Sequence, residues 1–209
     1  MTPEGQAHLD ELLTEAARDG LFPQARAVVR SGGTVVYDGG IAAGPATVFD
    51  LASLTKVLGT TAAFLVLWAD GRVAPGTPIR DLLPDARVAQ AGVTLGDLLG
   101  HRSGLPAFVP YFADALRETP ALLDPACRVD VRVAARRRVV ARALATPLAT
   151  APGQEAVYSD VGFILLGEAL AAAARRPLDA LVQGRVIAPL SLGCHFRRPA
   201  APGLSLIHI

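Results

Sequence analysis

Only two segments of the 209-residue chain have the make-up of β-strands, and they are consecutive. Residues 25–30 and 34–37 are β-rich runs separated by Ser31-Gly32-Gly33, and paired glycines supply the positive φ that a tight hairpin turn demands. A hairpin by itself is barely stable in water, so this one needs further strands or a packed layer beside it. Asp38-Gly39-Gly40 is expected to end the second strand. The rest of the chain reads as helical. The expectation is an α/β protein whose hairpin belongs to an antiparallel sheet, beside a helical lobe, with the sheet's C-terminal strands missing from this chain.

Helical signals are plain. Residues 3–18 place Leu9, Leu12, Leu13 and Ala16 on one face and close at Gly20. From Ser53 the apolar residues Leu54, Val57, Leu58, Ala62, Leu65 and Trp68 recur at helical spacing, and Asp70-Gly71 ends the run. Thr94 caps a short helix to Leu99 with Asp97 at the capping-box position, before the loop His101-Arg102-Ser103-Gly104-Leu105-Pro106. Residues 129–144 form a helix carrying Arg132, Arg136, Arg137, Arg138 and Arg142, a solvated face without the interleaved aromatics of a single-strand groove. Further helices are expected at 161–174 and 178–186. The domain is expected to span 1–203, with a helix and hairpin over 1–52 and a mainly helical lobe with the active site over 53–190.

Hydrophobic residues make up 51% of the chain, enough for one ordinary core, and a net charge of +1 gives no general pull toward nucleic acid. The longest apolar stretch, residues 62–69, is too short to span a bilayer. The start carries Glu4 and Asp10 and has no secretory signal, which points to the cytoplasm, or to the periplasm or secretion if the true start lies upstream. Cys127 and Cys194 form no CxxC pair, and His195 beside Cys194 lacks the partners of a metal site. No metal, organic cofactor or glycine-rich phosphate loop is implied.

The basic residues are more telling. Of 20, 19 are arginine and one is lysine, Lys56. In a chain whose composition has replaced lysine elsewhere, a retained lysine points to a need for an amine that can lose its proton. It lies three residues after Ser53, one of only six serines. A serine opening a helix, with lysine one turn on, places hydroxyl and amine on one face. The serine N–H at the helix start can stabilise an oxyanion. Burial against Phe49, Leu51 and neighbouring helices is expected to lower the amine's pKa.

Phe49-Asp50-Leu51-Ala52-Ser53-Leu54-Thr55-Lys56 resembles the first active-site motif of class C β-lactamases, serine DD-peptidases and their esterase relatives. Residues 94–106 are similar to the internal segment of that family written LLTHTSGLP. Pro152-Gly153, then Tyr158-Ser159-Asp160 and the helix after them, resemble the second motif, the Tyr-x-Asn loop. The resemblance covers about residues 25–195 and implies the β-lactamase/transpeptidase-like fold. It implies a Ser53 nucleophile forming an acyl-enzyme, Lys56 as base, and Tyr158 as proton relay. The substrate would be a small molecule or peptide presenting an ester or amide (β-lactam, D-amino peptide or small ester).

Two departures stand out. Asp160 occupies the position of the Asn, so a substrate-binding donor becomes an acceptor, and a carboxylate beside Lys56 holds the ammonium charged. Nothing after Tyr158 matches the third motif, a Lys-Thr-Gly or His-x-Gly strand. The last six residues, Leu204-Ser205-Leu206-Ile207-His208-Ile209, read as a translated sequencing adapter, which would make the chain a truncated product. The rival readings are a non-catalytic ligand-binding protein on this scaffold and an inactive fragment prone to aggregate. His101 and Ser103 also raise a Ser-His-Asp triad, but their spacing is not that of the nucleophile elbow. The oligomeric state is not legible.

Overall fold

The computed structural model describes residues 1–44, 46–124 and 126–196. The adapter-like residues 204–209 lie outside them. The chain divides into two compact units, Met1–Asp50 and a second beginning at Leu51.

In the first unit, helix α1 (Pro3–Arg18) has Thr2 as its N-cap, the threonine hydroxyl accepting from the Gly5 N–H at 3.2 Å. It lies on a hairpin of β1 (Ala25–Ser31) and β2 (Thr34–Ile41), antiparallel with a bulge between Val29 and Arg30. Gly32 and Gly33 have φ of 56° and 81°, the pair of left-handed residues that a two-residue turn requires. The Tyr37 hydroxyl donates to Asp10 Oδ1 at 2.6 Å, and the Gln6 amide donates to the Val36 carbonyl at 3.0 Å, tying helix to strand.

Strand β2 does not end at Asp38-Gly39-Gly40, as its turn-like composition implied. It runs on to Ile41, with Gly39 opposite Ala27 and Gly40 opposite Arg26. The glycines serve close approach instead. A Cβ on Gly39 would lie 2.2 Å from the Tyr37 hydroxyl, and one on Gly40 would lie 2.6 Å from the Ala25 carbonyl oxygen.

The second unit is helical. A wide π-type turn at Lys56–Thr61 runs into α2 (Ala62–Ala69), which ends at Asp70 with Gly71 at φ 70°. Then come α3 (Leu95–Leu99), α4 (Tyr111–Glu118), α5 (Val129–Leu144), α6 (Asp160–Ala174) and α7 (Leu178–Val182), the last continuing as a second π-type turn to Ile187. The core is built round α6, whose Val161, Ile164, Leu165, Leu166 and Leu170 are buried against Phe64 and Leu67 of α2, Leu95 and Leu98 of α3, and Leu181 of α7. Each such side chain contributes roughly 1.5–3 kcal/mol of burial, which is why α6 tolerates an apolar composition all round. The Thr94–Asp97 capping box forms as expected, with Asp97 Oδ2 accepting from the Thr94 N–H at 2.9 Å.

The apolar stripe after Ser53 is not the buried one. Leu54, Val57, Leu58, Leu65 and Trp68 are exposed, while Gly59, Thr60, Ala63, Phe64 and Leu67 face the core. The π-type turn carries an extra residue, which rotates the later part of the helix relative to a regular one. Of the arginines of α5, Arg136 pairs with Glu168, Arg138 with Glu118 (3.3 Å), and Arg142 with Glu118 and Asp114. Arg132 donates to the carbonyls of Asp124 and Cys127. Most of that charge is answered within the chain. Among the described residues, no helix is long and apolar enough to cross a membrane, and no group of three metal-ligating side chains occurs.

Candidate active site

Ser53 sits in the turn just before the helix, and the backbone reaches it through Ala52, held at φ 44°. A left-handed alanine is uncommon and costly, and such outliers cluster where a side chain must be aimed. Nothing in the identity of residue 52 signals this. Leu54, Thr55 and Lys56 donate their N–H groups back to Leu51, Ala52 and Ser53. Among the described residues the Ser53 N–H has no acceptor, which leaves it available at the positive end of the helix. The Ser53 side chain is exposed.

Lys56, one turn on, donates from Nζ to Ser53 Oγ at 3.2 Å. The same Nζ lies 2.6 Å from Asp160 Oδ1, 5.0 Å from the centre of the Tyr158 ring and 5.8 Å from that of Phe163. The structure thus brings all four predicted site residues, Ser53, Lys56, Tyr158 and Asp160, to one place. Asp160 Oδ1 is buried, and the ammonium 2.6 Å away answers its charge.

The expected lowering of the Lys56 pKa is only half of the balance. Burial does pull it down, but Asp160 and the Tyr158 phenol stabilise the ammonium by more, and the net direction is upward from 10.5. Phe49 is exposed; the rings that shelter the amine belong to Tyr158 and Phe163. At rest this site holds a protonated lysine.

The loop carrying Tyr158 is fastened to residues 101–107 by a series of hydrogen bonds. Ala149 and Thr150 donate to the Gly104 carbonyl, Gly153 to that of Arg102, Val157 to that of His101, and Asp160 to that of Ala107. Arg102 returns a bond to the Gly153 carbonyl at 2.7 Å, and Ser159 Oγ donates to the Pro106 carbonyl at 2.7 Å. Ser159 Oγ also accepts from the Gly162 N–H at 3.0 Å, capping α6 and so placing Asp160 at its first turn. Ser103 is buried, its hydroxyl turned to the Leu105 N–H, and His101 Nδ1 accepts from the Ser159 N–H. That arrangement contains no Ser-His-Asp relay. His101 is the site residue that the sequence reading set aside, and its motif position gave no hint that its imidazole meets the Tyr158 loop.

A model of the family described as Beta-lactamase matches residues 7–203. The chain is 29% identical over 167 residues to a putative D-alanyl-D-alanine carboxypeptidase of Escherichia coli (strain K12), covering 77% of this chain and 36% of that protein. It is 27% identical over 164 residues to an N-acetylmuramyl-L-alanine amidase of Bacillus subtilis (strain 168), covering 75% and 35%. The chain therefore spans about a third of the length of these curated relatives. Among solved structures, a D-stereospecific amidohydrolase from Streptomyces sp. superposes with a TM-score of 0.69 at 27% identity, over 90% of this chain and 55% of that one. An octameric penicillin-binding protein homologue from Pyrococcus abyssi superposes at 0.70 with 19% identity, over 90% and 43%.

Proposed function

Because the chain belongs to the β-lactamase family and shares its fold, we propose that it is part of a serine hydrolase that acts through an acyl-serine on an amide or ester. The observation that carries this reading is Lys56 Nζ held between Ser53 Oγ at 3.2 Å and Asp160 Oδ1 at 2.6 Å. With Lys56 in its neutral form, Ser53 Oγ attacks the acyl carbon as its proton passes to Nζ. The bond to the leaving group breaks, and that group takes a proton from the Tyr158 hydroxyl, which the Lys56 ammonium then reprotonates. Water releases the acyl group by the reverse proton path. The carboxypeptidase and the D-stereospecific amidohydrolase among the relatives favour an amide of a D-configured amino acid as substrate, while the N-acetylmuramyl-L-alanine amidase supports only the amide.

A fluorophosphonate probe tests the nucleophile. It is expected to label the chain at Ser53 and to leave the S53A variant unlabelled. Absence of label at any pH, or label persisting in S53A, rules the reading out. A penicillin probe run in parallel reports whether the same serine accepts a strained lactam.

The Lys56–Asp160 ion pair also favours the second reading, a ligand-binding site without turnover, because a fixed ammonium is no base. D160N separates the two. Removing the carboxylate removes the largest of the influences that raise the Lys56 pKa, while the burial that lowers it stays. The pH at which labelling rises is expected to move downward, and the rate at neutral pH to increase. An unchanged profile in D160N means that Lys56 deprotonation does not control acylation.

A further inference from the structure

We propose that His101 is a positioning residue for Tyr158: its neutral imidazole clamps the loop that carries the phenol, and protonation of Nδ1 releases the clamp. The proposal rests on the reading of Tyr158 as proton relay and adds a residue that neither the motifs nor the relatives assign.

Three contacts converge on one tripeptide. The His101 carbonyl accepts the Val157 N–H at 2.9 Å, and His101 Nδ1 accepts the Ser159 N–H at 3.0 Å. The imidazole packs against the Tyr158 ring with centroids 4.5 Å apart, and against that of Phe163 at 4.9 Å. Tyr158 is thus held on both sides along the chain and across its ring face, although its own side chain is exposed. The geometry depends on the backbone of His101 at φ 56°, which allows carbonyl and side chain to reach the same loop.

An Nδ1 that accepts a backbone N–H cannot carry a proton, so the ring is the neutral Nε2–H tautomer. A proton on Nδ1 would set donor against donor and put a second cation beside Lys56. The charged and titratable groups facing the ring are Lys56, Asp160 and the Tyr158 phenol; Arg102, next along the chain, is turned to the Gly153 carbonyl. Burial first, and the Lys56 charge second, hold His101 below its ordinary 6.5, with Asp160 opposing. With the folded value depressed, the clamp is complete above the ordinary histidine value and fails as pH falls through the lower folded one.

Two readouts on the whole chain test this. In a long-range proton–nitrogen NMR titration of 15N-histidine protein, His101 is expected to show the Nε2–H tautomer, to titrate below the ordinary histidine value, and to carry the Ser159 amide shift with it. In the second, fluorophosphonate labelling of Ser53 is followed against pH. H101N keeps an acceptor near the Nδ1 position, tolerates positive φ and does not titrate. It is expected to label within about threefold of the wild-type rate at neutral pH and to lose the acid-side fall attributable to His101. H101F keeps a ring without the acceptor, and a loss of about tenfold at every pH is expected. An acid limb unchanged in H101N, or a Ser159 amide indifferent to the His101 titration, overturns the clamp. A wild-type chain that takes no label at any pH overturns the proposed function instead, and the NMR result then still reports on the clamp.

Discussion

Arginine in place of Lys56 is expected to slow acylation of Ser53 by about 10²–10⁴-fold, the usual worth of a general base. The substitution is chosen because it keeps the charge. A guanidinium can still pair with Asp160, in two-pronged fashion, so the site stays electrically balanced and the fold intact. What is lost is the ability to become neutral. Comparing K56R with wild type in a timed fluorophosphonate assay, beside a thermal melt that shows both folded, isolates basicity from charge. The wild-type rate should also climb with pH. The Lys56 value lies above 10.5, so the ammonium dominates at neutral pH and the reactive amine is a small fraction there. The same shift has a stability counterpart of opposite direction. The ion pair's contribution is whole below the unfolded lysine value and disappears as pH rises through the higher folded one. Equal labelling rates in K56R and wild type would remove Lys56 from the mechanism.

That experiment turns on a balance which local sequence could not resolve. Burial of Lys56 and the charge of Asp160 were both legible, one from the apolar surroundings and one from the Asp in an Asn position. Their net effect depends on a 2.6 Å approach set by where α6 begins relative to residue 56, a tertiary distance. The same distinction runs through the fold. Helices α1 and α5 have the expected bounds, because periodicity and, at α1, the Thr2 cap and Gly20 act within a few residues. The Gly32-Gly33 turn and the Thr94 capping box formed for the same reason. By contrast, α4 is a two-turn helix after Pro110, its buried side limited to Tyr111 and Ala115, too little pattern to announce itself. Gly39 and Gly40 carry the letters of a strand end, but their need for space comes from the Tyr37 side chain on the same strand and the Ala25 carbonyl of the paired one. The left-handed Ala52 and His101 carry no residue-level mark at all. The motif lettering brought out Ser53, Lys56, Tyr158 and Asp160, and His101 emerged only once the segments were seen to dock.

The docking of those segments also fixes the second large expectation. Alanine at Gly104 should destabilise the chain by about 3–5 kcal/mol, through overpacking added to a disfavoured φ. Gly104 sits at φ 78°, and a Cβ there would stand 2.2 Å from the Thr150 carbonyl oxygen and 3.1 Å from its carbon. Backbone, unlike the end of a long side chain, cannot swing aside. Relief requires moving residues 149–151 away, which breaks the bonds that Ala149 and Thr150 donate to the Gly104 carbonyl. Gly153 is the control, since its φ of 81° is nearly the same but no atom lies within 4 Å of its Cβ position. G153A should therefore cost only the conformational part, about 1–2 kcal/mol. Melting the two variants beside wild type should show G104A lower by roughly 10 °C and G153A lower by a few. Equal losses would mean that the contact with Thr150 relaxes freely, and that the loop bearing Tyr158 is held less firmly than its hydrogen bonds imply. Unequal losses in the expected order tie the placement of Tyr158 to a glycine fifty-four residues before it.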